Sequence, residues 1–204
     1  MRIADNWVDY ELINMDNGMK KERWGDYVLV RPDPQIIWNN NVDFGKYDAL
    51  YRRSNKGGGS WEYKTKLKDN WQIKYKDLTF NIKPMGFKHT GLFPEQAVNW
   101  DYMIDKIKNS GREIKVLNLF AYTGGATVAC LYAGASVCHV DSSRGMVEGA
   151  KANVNSSILS SANFIASSKF SASTLIIPYI AYSTTTLKDF FIKISPKLYI
   201  LFII

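Results

Sequence analysis

Asn118-Leu119-Phe120-Ala121-Tyr122-Thr123-Gly124-Gly125-Ala126-Thr127-Val128-Ala129 is the stretch on which the fold turns. The apolar residues from Lys115 to Phe120 that lead into it read as a short buried strand. Gly124 and Gly125 mark a turn, after which an apolar helix is expected from about Ala126 to Tyr132, with Gly134 as its C-terminal stop. A second apolar strand follows from Ser136 to Val140, Asp141 stands at its end, and another helix begins near Ser143. Strand, turn, helix and strand in this order indicate a βαβ unit and a parallel sheet. Upstream, Pro94 suits the first turn of a helix running to Lys108, with Ala97, Trp100, Ile104 and Ile107 near one face and Asn109-Ser110-Gly111 ending it.

Ligands of open α/β sheets lie in the crevice beyond the carboxyl ends of the strands. Glycines at the strand-to-helix turn let backbone approach a ligand closely and take dihedrals that other residues resist. A carboxylate at the end of the neighbouring strand, Asp141, can accept hydrogen bonds from both hydroxyls of a ribose. Together these features describe an adenosine-nucleoside site. Two other readings stay open at this point: a plain βα turn with an acidic N-cap in the next loop, and a dinucleotide site. The dinucleotide fingerprint is G-x-G-x-x-G, and this loop has no G-x-G. That favours a ligand without a pyrophosphate, such as S-adenosylmethionine.

Leu117 to Asp141, with its Asn-Leu-Phe-Ala-Tyr-Thr-Gly-Gly core, resembles the cofactor motif of class I S-adenosylmethionine-dependent methyltransferases of the bacterial large-subunit ribosomal RNA methyltransferase family. A second element, Lys88-His89-Thr90-Gly91-Leu92-Phe93-Pro94-Glu95-Gln96, is similar to that family's Lys-Thr-Gly-x-Phe/Tyr-x-x-Gln segment, with His89 as an extra residue. The resemblance covers roughly residues 5 to 153. It implies an α/β fold, a partial Rossmann-like methyltransferase domain preceded by a small antiparallel β-rich domain. It also implies S-adenosylmethionine as cofactor. Phe120, Ala121, Tyr122, Thr123, Gly124 and Gly125 would line its methionine and ribose portion, Asp141 would hold the ribose with Ser142 beside it, and Thr90, Phe93 and Gln96 would contribute from the preceding segment. The sequence departs from the family after this region. No Asp/Asn-Pro-Pro motif follows, Pro178 and Pro196 are not adjacent, and no cysteine follows Cys138. The chain therefore names no catalytic residue, and a truncated, catalytically inactive relative is the alternative expectation.

The N-terminal part, about Trp7 to Lys83, reads as antiparallel β. Trp61, Tyr63, Thr65 and Leu67 would share one face and Glu62, Lys64, Lys66 and Lys68 the other; Asp69-Asn70 turns the chain. Trp71, Ile73 and Tyr75 then alternate with Gln72, Lys74 and Lys76, and Leu78, Phe80 and Ile82 with Thr79, Asn81 and Lys83. The lysine-rich face of this meander, with Arg52 and Arg53 near the Gly57-Gly58-Gly59 loop, either contacts RNA phosphate or is solvated β surface. The formal net charge of +7 is compatible with a nucleic-acid partner without naming one.

Cys130 and Cys138 fall in apolar surroundings without a C-x-x-C pair, so reduced thiols in a cytoplasmic protein are expected, with no metal site. No apolar leader and no run of eighteen apolar residues is present, so no membrane span is expected. The vocabulary changes near Asn153: all 14 glycines, 6 tryptophans and 6 methionines precede it. Three segments result: 1–87 as the β-rich domain, 88–153 as the partial cofactor-binding domain, and 154–204 as an atypical tail. The tail is either a peculiar genuine segment or the product of a shifted frame or truncated gene, with the second favoured.

Overall fold

The structure is a computed structural model that describes residues 3–157 and the backbone of three strands, 164–167, 191–195 and 198–202. The chain divides into two compact units, Met1–Glu95 and Gln96–Ile204. Residues 88–95, which the sequence places with the second segment, cluster with the first unit.

Unit one is built on seven strands: β1 (Tyr10–Asp16), β2 (Met19–Trp24), β3 (Tyr27–Pro32), β4 (Ala49–Arg53), β5 (Gly59–Tyr63), β6 (Trp71–Tyr75) and β7 (Leu78–Ile82). The first five form one sheet in the order β1-β2-β3-β4-β5. Asn17 and Gly18, with φ of 46° and 71°, close the β1–β2 hairpin, since both central residues of its tight turn need left-handed φ. β3 and β4 pair in parallel, so the sheet is mixed rather than wholly antiparallel. The parallel register needs the long connection from Pro32 to Ala49. Asp16 pins that excursion by accepting the backbone N–H of Asn40 at 2.7 Å and of Val42 at 2.9 Å.

β6 and β7 form a separate hairpin whose alternation matches the pattern read from sequence on β6, with Trp71, Ile73 and Tyr75 buried between exposed Gln72 and Lys74. β7 departs from it: Thr79 is buried along with Leu78, Phe80 and Ile82, because this strand is covered on both faces. The expected single strand from Trp61 to Lys68 also ends early. β5 stops at Tyr63: the Lys64 N–H still reaches the Asp48 carbonyl at 2.7 Å in ladder register, but the Thr65 N–H turns back to the same carbonyl at 3.3 Å and the Thr65 hydroxyl donates to Oδ1 of Asp48 at 2.7 Å. Lys66 and Lys68 therefore lie in a connecting loop, and Lys76 sits in the hairpin turn with φ of 52°. The lysines are exposed but do not form one β face.

The core of this unit joins the sheet to the hairpin. Trp24, Leu29, Tyr51, Ile73, Tyr75 and Phe80 are nearly inaccessible, and the Trp71 indole N–H donates to the Trp24 carbonyl at 2.8 Å. Within it, Arg31 donates two hydrogen bonds to the carboxylate of Glu22, which also accepts from the Tyr10 hydroxyl at 2.8 Å. Burial raises the Glu22 pKa, but the Arg31 guanidinium, Lys20 and the Tyr10 hydroxyl together outweigh it and hold the carboxyl below its ordinary value.

Unit two opens with a short 3-10 turn at Gln96 and α1 (Ala97–Lys108), which buries Ala97, Trp100 and Met103. It continues with β8 (Lys115–Leu119), α2 (Gly125–Tyr132), β9 (Ser136–Val140) and α3 (Arg144–Ser156), close to the expected boundaries. β8 and β9 pair in parallel, as a βαβ unit requires. The strands β10 (Phe164–Ser167), β11 (Phe191–Ser195) and β12 (Leu198–Phe202) extend this sheet to the order β10-β9-β8-β12-β11. β10 and β12 run parallel to their neighbours, whereas β11 is antiparallel to β12. The sheet thus grows outward from β8 in both directions, which places a topological switch point between β8 and β12. Among the described residues, no helix is long and apolar enough to cross a membrane.

Candidate functional site

The crevice that such a sheet opens lies at the carboxyl end of β8, and the chain there is unusual. Phe120 and Tyr122 both take left-handed φ, 54° and 51°, where bulky residues are rarely found. Each such residue costs on the order of 1 kcal/mol or more, so the surrounding contacts must hold the bend in place. They do so from three sides. Ala121 N–H donates to the Val140 carbonyl at 3.0 Å, and Tyr122 N–H to Oδ2 of Asp141 at 2.8 Å. Asn153, wholly buried on α3, donates through Nδ2 to the Thr123 carbonyl at 2.8 Å.

Gly124 and Gly125 are required by packing inside the unit. Gly124 has φ of 81°, and a methyl group on it would meet Ala150 Cβ at 2.9 Å. One on Gly125 would meet the Trp100 ring at 2.8 Å. The sequence assigned these glycines to close approach of a ligand and to dihedrals that other residues resist; the second holds at Gly124, and packing against Ala150 and Trp100 is a further reason that the sequence did not show.

Asp141 faces the bend. Its Oδ2 holds the Tyr122 N–H and its Oδ1 the Ser143 N–H at 2.8 Å, which fixes the carboxylate and leaves each oxygen a further lone pair. That arrangement can accept two neighbouring hydroxyls. Phe120 stands beside it with its ring 66% exposed, so an apolar face is available at the mouth. Below the bend runs a buried polar chain. Asn118 Nδ2 donates to Thr127 Oγ1 at 2.8 Å, and Thr127 Oγ1 lies 2.9 Å from His139 Nδ1. Burial lowers the His139 pKa to about 4, so the ring is neutral at neutral pH.

The expected site residues fall as follows. Phe120, Ala121, Tyr122, Thr123, Gly124, Gly125 and Asp141 form one continuous structure, with Ala121 and Thr123 buried and Tyr122 half-buried. Ser142 follows Asp141 and is exposed. Gln96 caps α1 and accepts a hydrogen bond from Asn99 at 2.8 Å. Thr90 and Phe93 belong to unit one. Thr90 is fully buried, and its hydroxyl has no hydrogen-bond partner among the described residues; Phe93 packs edge-on against His89 at 5.5 Å. Asn118, Thr127, His139 and Asn153 were not singled out from sequence. Asn153 had a signal: it continues the buried row Val147, Ala150 of α3 at helical spacing, where a polar residue must find an internal partner.

No family model matches the chain. It is 29% identical over 168 residues to the ribosomal RNA large subunit methyltransferase K/L of Shewanella frigidimarina, covering 78% of this chain and 22% of that protein. The structure of a SAM-dependent methyltransferase from Agrobacterium tumefaciens superposes with a TM-score of 0.75 at 35% identity, over 79% of this chain and 53% of the other. A Streptococcus mutans protein described as a SAM-dependent methyltransferase shares the fold, with a TM-score of 0.62 at 19% identity over 79% of this chain and 46% of the other. The resemblance to class I S-adenosylmethionine-dependent methyltransferases is borne out, as is the mixed α/β architecture with a β-rich N-terminal sheet and a partial methyltransferase-like core. The chain spans about a fifth of the length of the curated relative and about half that of the Agrobacterium structure.

Proposed function

We propose that this chain carries the S-adenosylmethionine site of a methyltransferase acting on RNA, with the donor seated between the 120–125 bend and Asp141. The observation that carries this reading is the doubly anchored Asp141 carboxylate at the end of β9, facing a strained backbone loop at the end of β8. Carboxylate oxygens fixed in this way recognise a ribose diol without rearranging, so little ordering entropy is lost on binding. When bound, the sulfonium supplies an already activated methyl group. The protein's own task is then to position it rather than to move protons. The fully buried His139, bonded to Thr127, belongs to the support of the bend.

An RNA substrate agrees with the basic charge of the chain and with a curated relative named for ribosomal RNA. In this reading the protein works in the cytoplasm, and within unit two Gln96 and Ser142 belong to the donor-binding segment with the 120–125 bend and Asp141. Calorimetric titration of the chain with S-adenosylmethionine and, separately, with NAD tests the choice of cofactor. Binding of S-adenosylmethionine with no comparable heat from NAD is expected; tighter binding of NAD overturns it.

A further inference from the structure

A cavity of about 380 Å³ is lined wholly by residues of unit one. That volume falls in the range of roughly 300–1,000 Å³ typical of small-ligand sites. Arg53, Ser54, Gly57, Gly58, Phe87 and Lys88 line it, with Tyr51 and His89 at its base. Its chemistry is two-sided. Arg53 is exposed and makes no hydrogen bond or ion pair among the described residues, whereas its neighbour Arg52, on the opposite face of β4, is neutralised by Glu62. Lys88 bonds the Pro32 carbonyl at 3.1 Å, so its ammonium is held in place.

Positive charge accumulates here. Burial, and then Arg53, Arg31 and Lys20, push the Lys88 ammonium below its usual range against the opposing pull of Asp33. Burial and the same cationic neighbourhood (Arg31, Lys88 and Lys20) lower His89. Against this sits Phe87, 69% exposed although it is a large apolar side chain. Gly57 and Gly58, with φ of 89° and 70°, bring bare backbone to the rim. An exposed aromatic ring beside the unpaired Arg53 and the positioned Lys88 suits a base on the ring and a phosphate on the cations.

We propose that this cavity binds one nucleotide of a single-stranded RNA, the base stacking on Phe87 and the backbone phosphate meeting Arg53 and Lys88. The assignment rests on the reading of RNA as substrate and moves its contact from the scattered lysines to a defined site. A duplex keeps its bases stacked internally and offers no free face to Phe87, so single strands are preferred.

The test uses the full chain and a fluorescently labelled single-stranded RNA of about ten nucleotides, a length within the span of known single-strand sites. Anisotropy is read for wild type, Arg53→Ala, Arg53→Lys, Phe87→Ala and Phe87→Tyr. Both side chains are on the surface, and the two conservative variants report on folding. Phe87→Ala is expected to weaken binding about tenfold, with Phe87→Tyr close to wild type. Arg53→Ala is expected to reduce the salt dependence of log K by about one contact, with Arg53→Lys retaining it. Unchanged affinity in both alanine variants overturns the proposal. So does equal affinity for a duplex of the same length. S-adenosylmethionine calorimetry on the same variants separates the two readings. RNA loss with donor binding retained supports this site, whereas donor loss with RNA binding retained assigns the cavity to the cofactor and overturns it. Failure of wild type to bind the donor while it binds RNA through Phe87 sinks only the cofactor reading.

Discussion

A methyl group placed on Gly125 would lie 2.8 Å from Cζ2 of Trp100, inside the van der Waals surface of a buried indole. One on Gly124 would lie 2.9 Å from Ala150 Cβ and would also have to keep a left-handed φ of 81°. The two glycines therefore lock the bend between α1 and α3.

Gly124→Ala combines steric overlap with backbone strain and is expected to destabilise unit two by roughly 2–4 kcal/mol. Gly134→Ala supplies the control, because Gly134 has a similar φ of 94° with nothing within 4 Å of the added methyl group. It should cost only about 1 kcal/mol, the backbone term alone. Urea unfolding of both variants measures the difference; equal losses would mean that Ala150 moves aside freely.

His139 should make unit two sensitive to mild acid. Burial lowers its pKa in the fold to about 4, against about 6.5 unfolded, so the unfolded chain binds the extra proton first. Stability is full above the unfolded value and falls as pH drops from about 6.5 toward 4, at up to about 1.4 kcal/mol per unit. Denaturation at a series of pH values should show this slope, and His139→Asn should flatten it. His89, also lowered by burial, contributes in the same direction from unit one, so His89→Gln is the background in which to measure it.

Thr127→Val removes the hydroxyl shared by Asn118 and His139 while nearly keeping the shape. All three residues are fully buried, so two polar atoms lose that partner, at an expected cost of about 1–3 kcal/mol. Hydrogen exchange at the β8 and β9 amides should accelerate by the corresponding factor.

In unit one, Arg31→Ala takes both guanidinium hydrogen bonds from the buried Glu22 carboxylate and leaves it Lys20, at 3.4 Å, and the Tyr10 hydroxyl. A loss of roughly 3 kcal/mol is expected, because these partners offset the burial of the charge only in part. Replacing Arg31 and Glu22 together by Met and Leu should recover much of it. A double variant as unstable as Arg31→Ala would show that the cost is one of packing.

The elements of unit two were legible because their signals are local. Buried parallel strands write continuous apolar runs, and Gly124-Gly125 and Gly134 punctuate them, so β8, α2 and β9 fell close to their expected limits. Asp141 was legible as a strand-terminal carboxylate. The polar chain from Asn118 through Thr127 to His139 was not, because each of its members sits in an apolar run and declares its partner only in three dimensions. The packing role of the glycines was hidden for the same reason: Trp100 and Ala150 come from other helices. In unit one, alternation located β6, yet it ran the lysine pattern past Tyr63, where the bonds from Thr65 back to Asp48 end β5 against local propensity. The parallel pairing of β3 with β4 is a non-local choice that no alternation encodes.

The central claim is that Asp141 holds the ribose of the methyl donor, and isothermal titration of S-adenosylmethionine into wild type and Asp141→Asn tests it most directly. Asparagine keeps one side-chain acceptor for the backbone N–H groups but loses the paired, charged oxygens. Wild type should bind and the variant should be weaker by about tenfold to a hundredfold, the worth of charge-assisted hydrogen bonds to a diol. Equal affinity, with hydrogen exchange showing the 120–125 bend intact, would contradict the account.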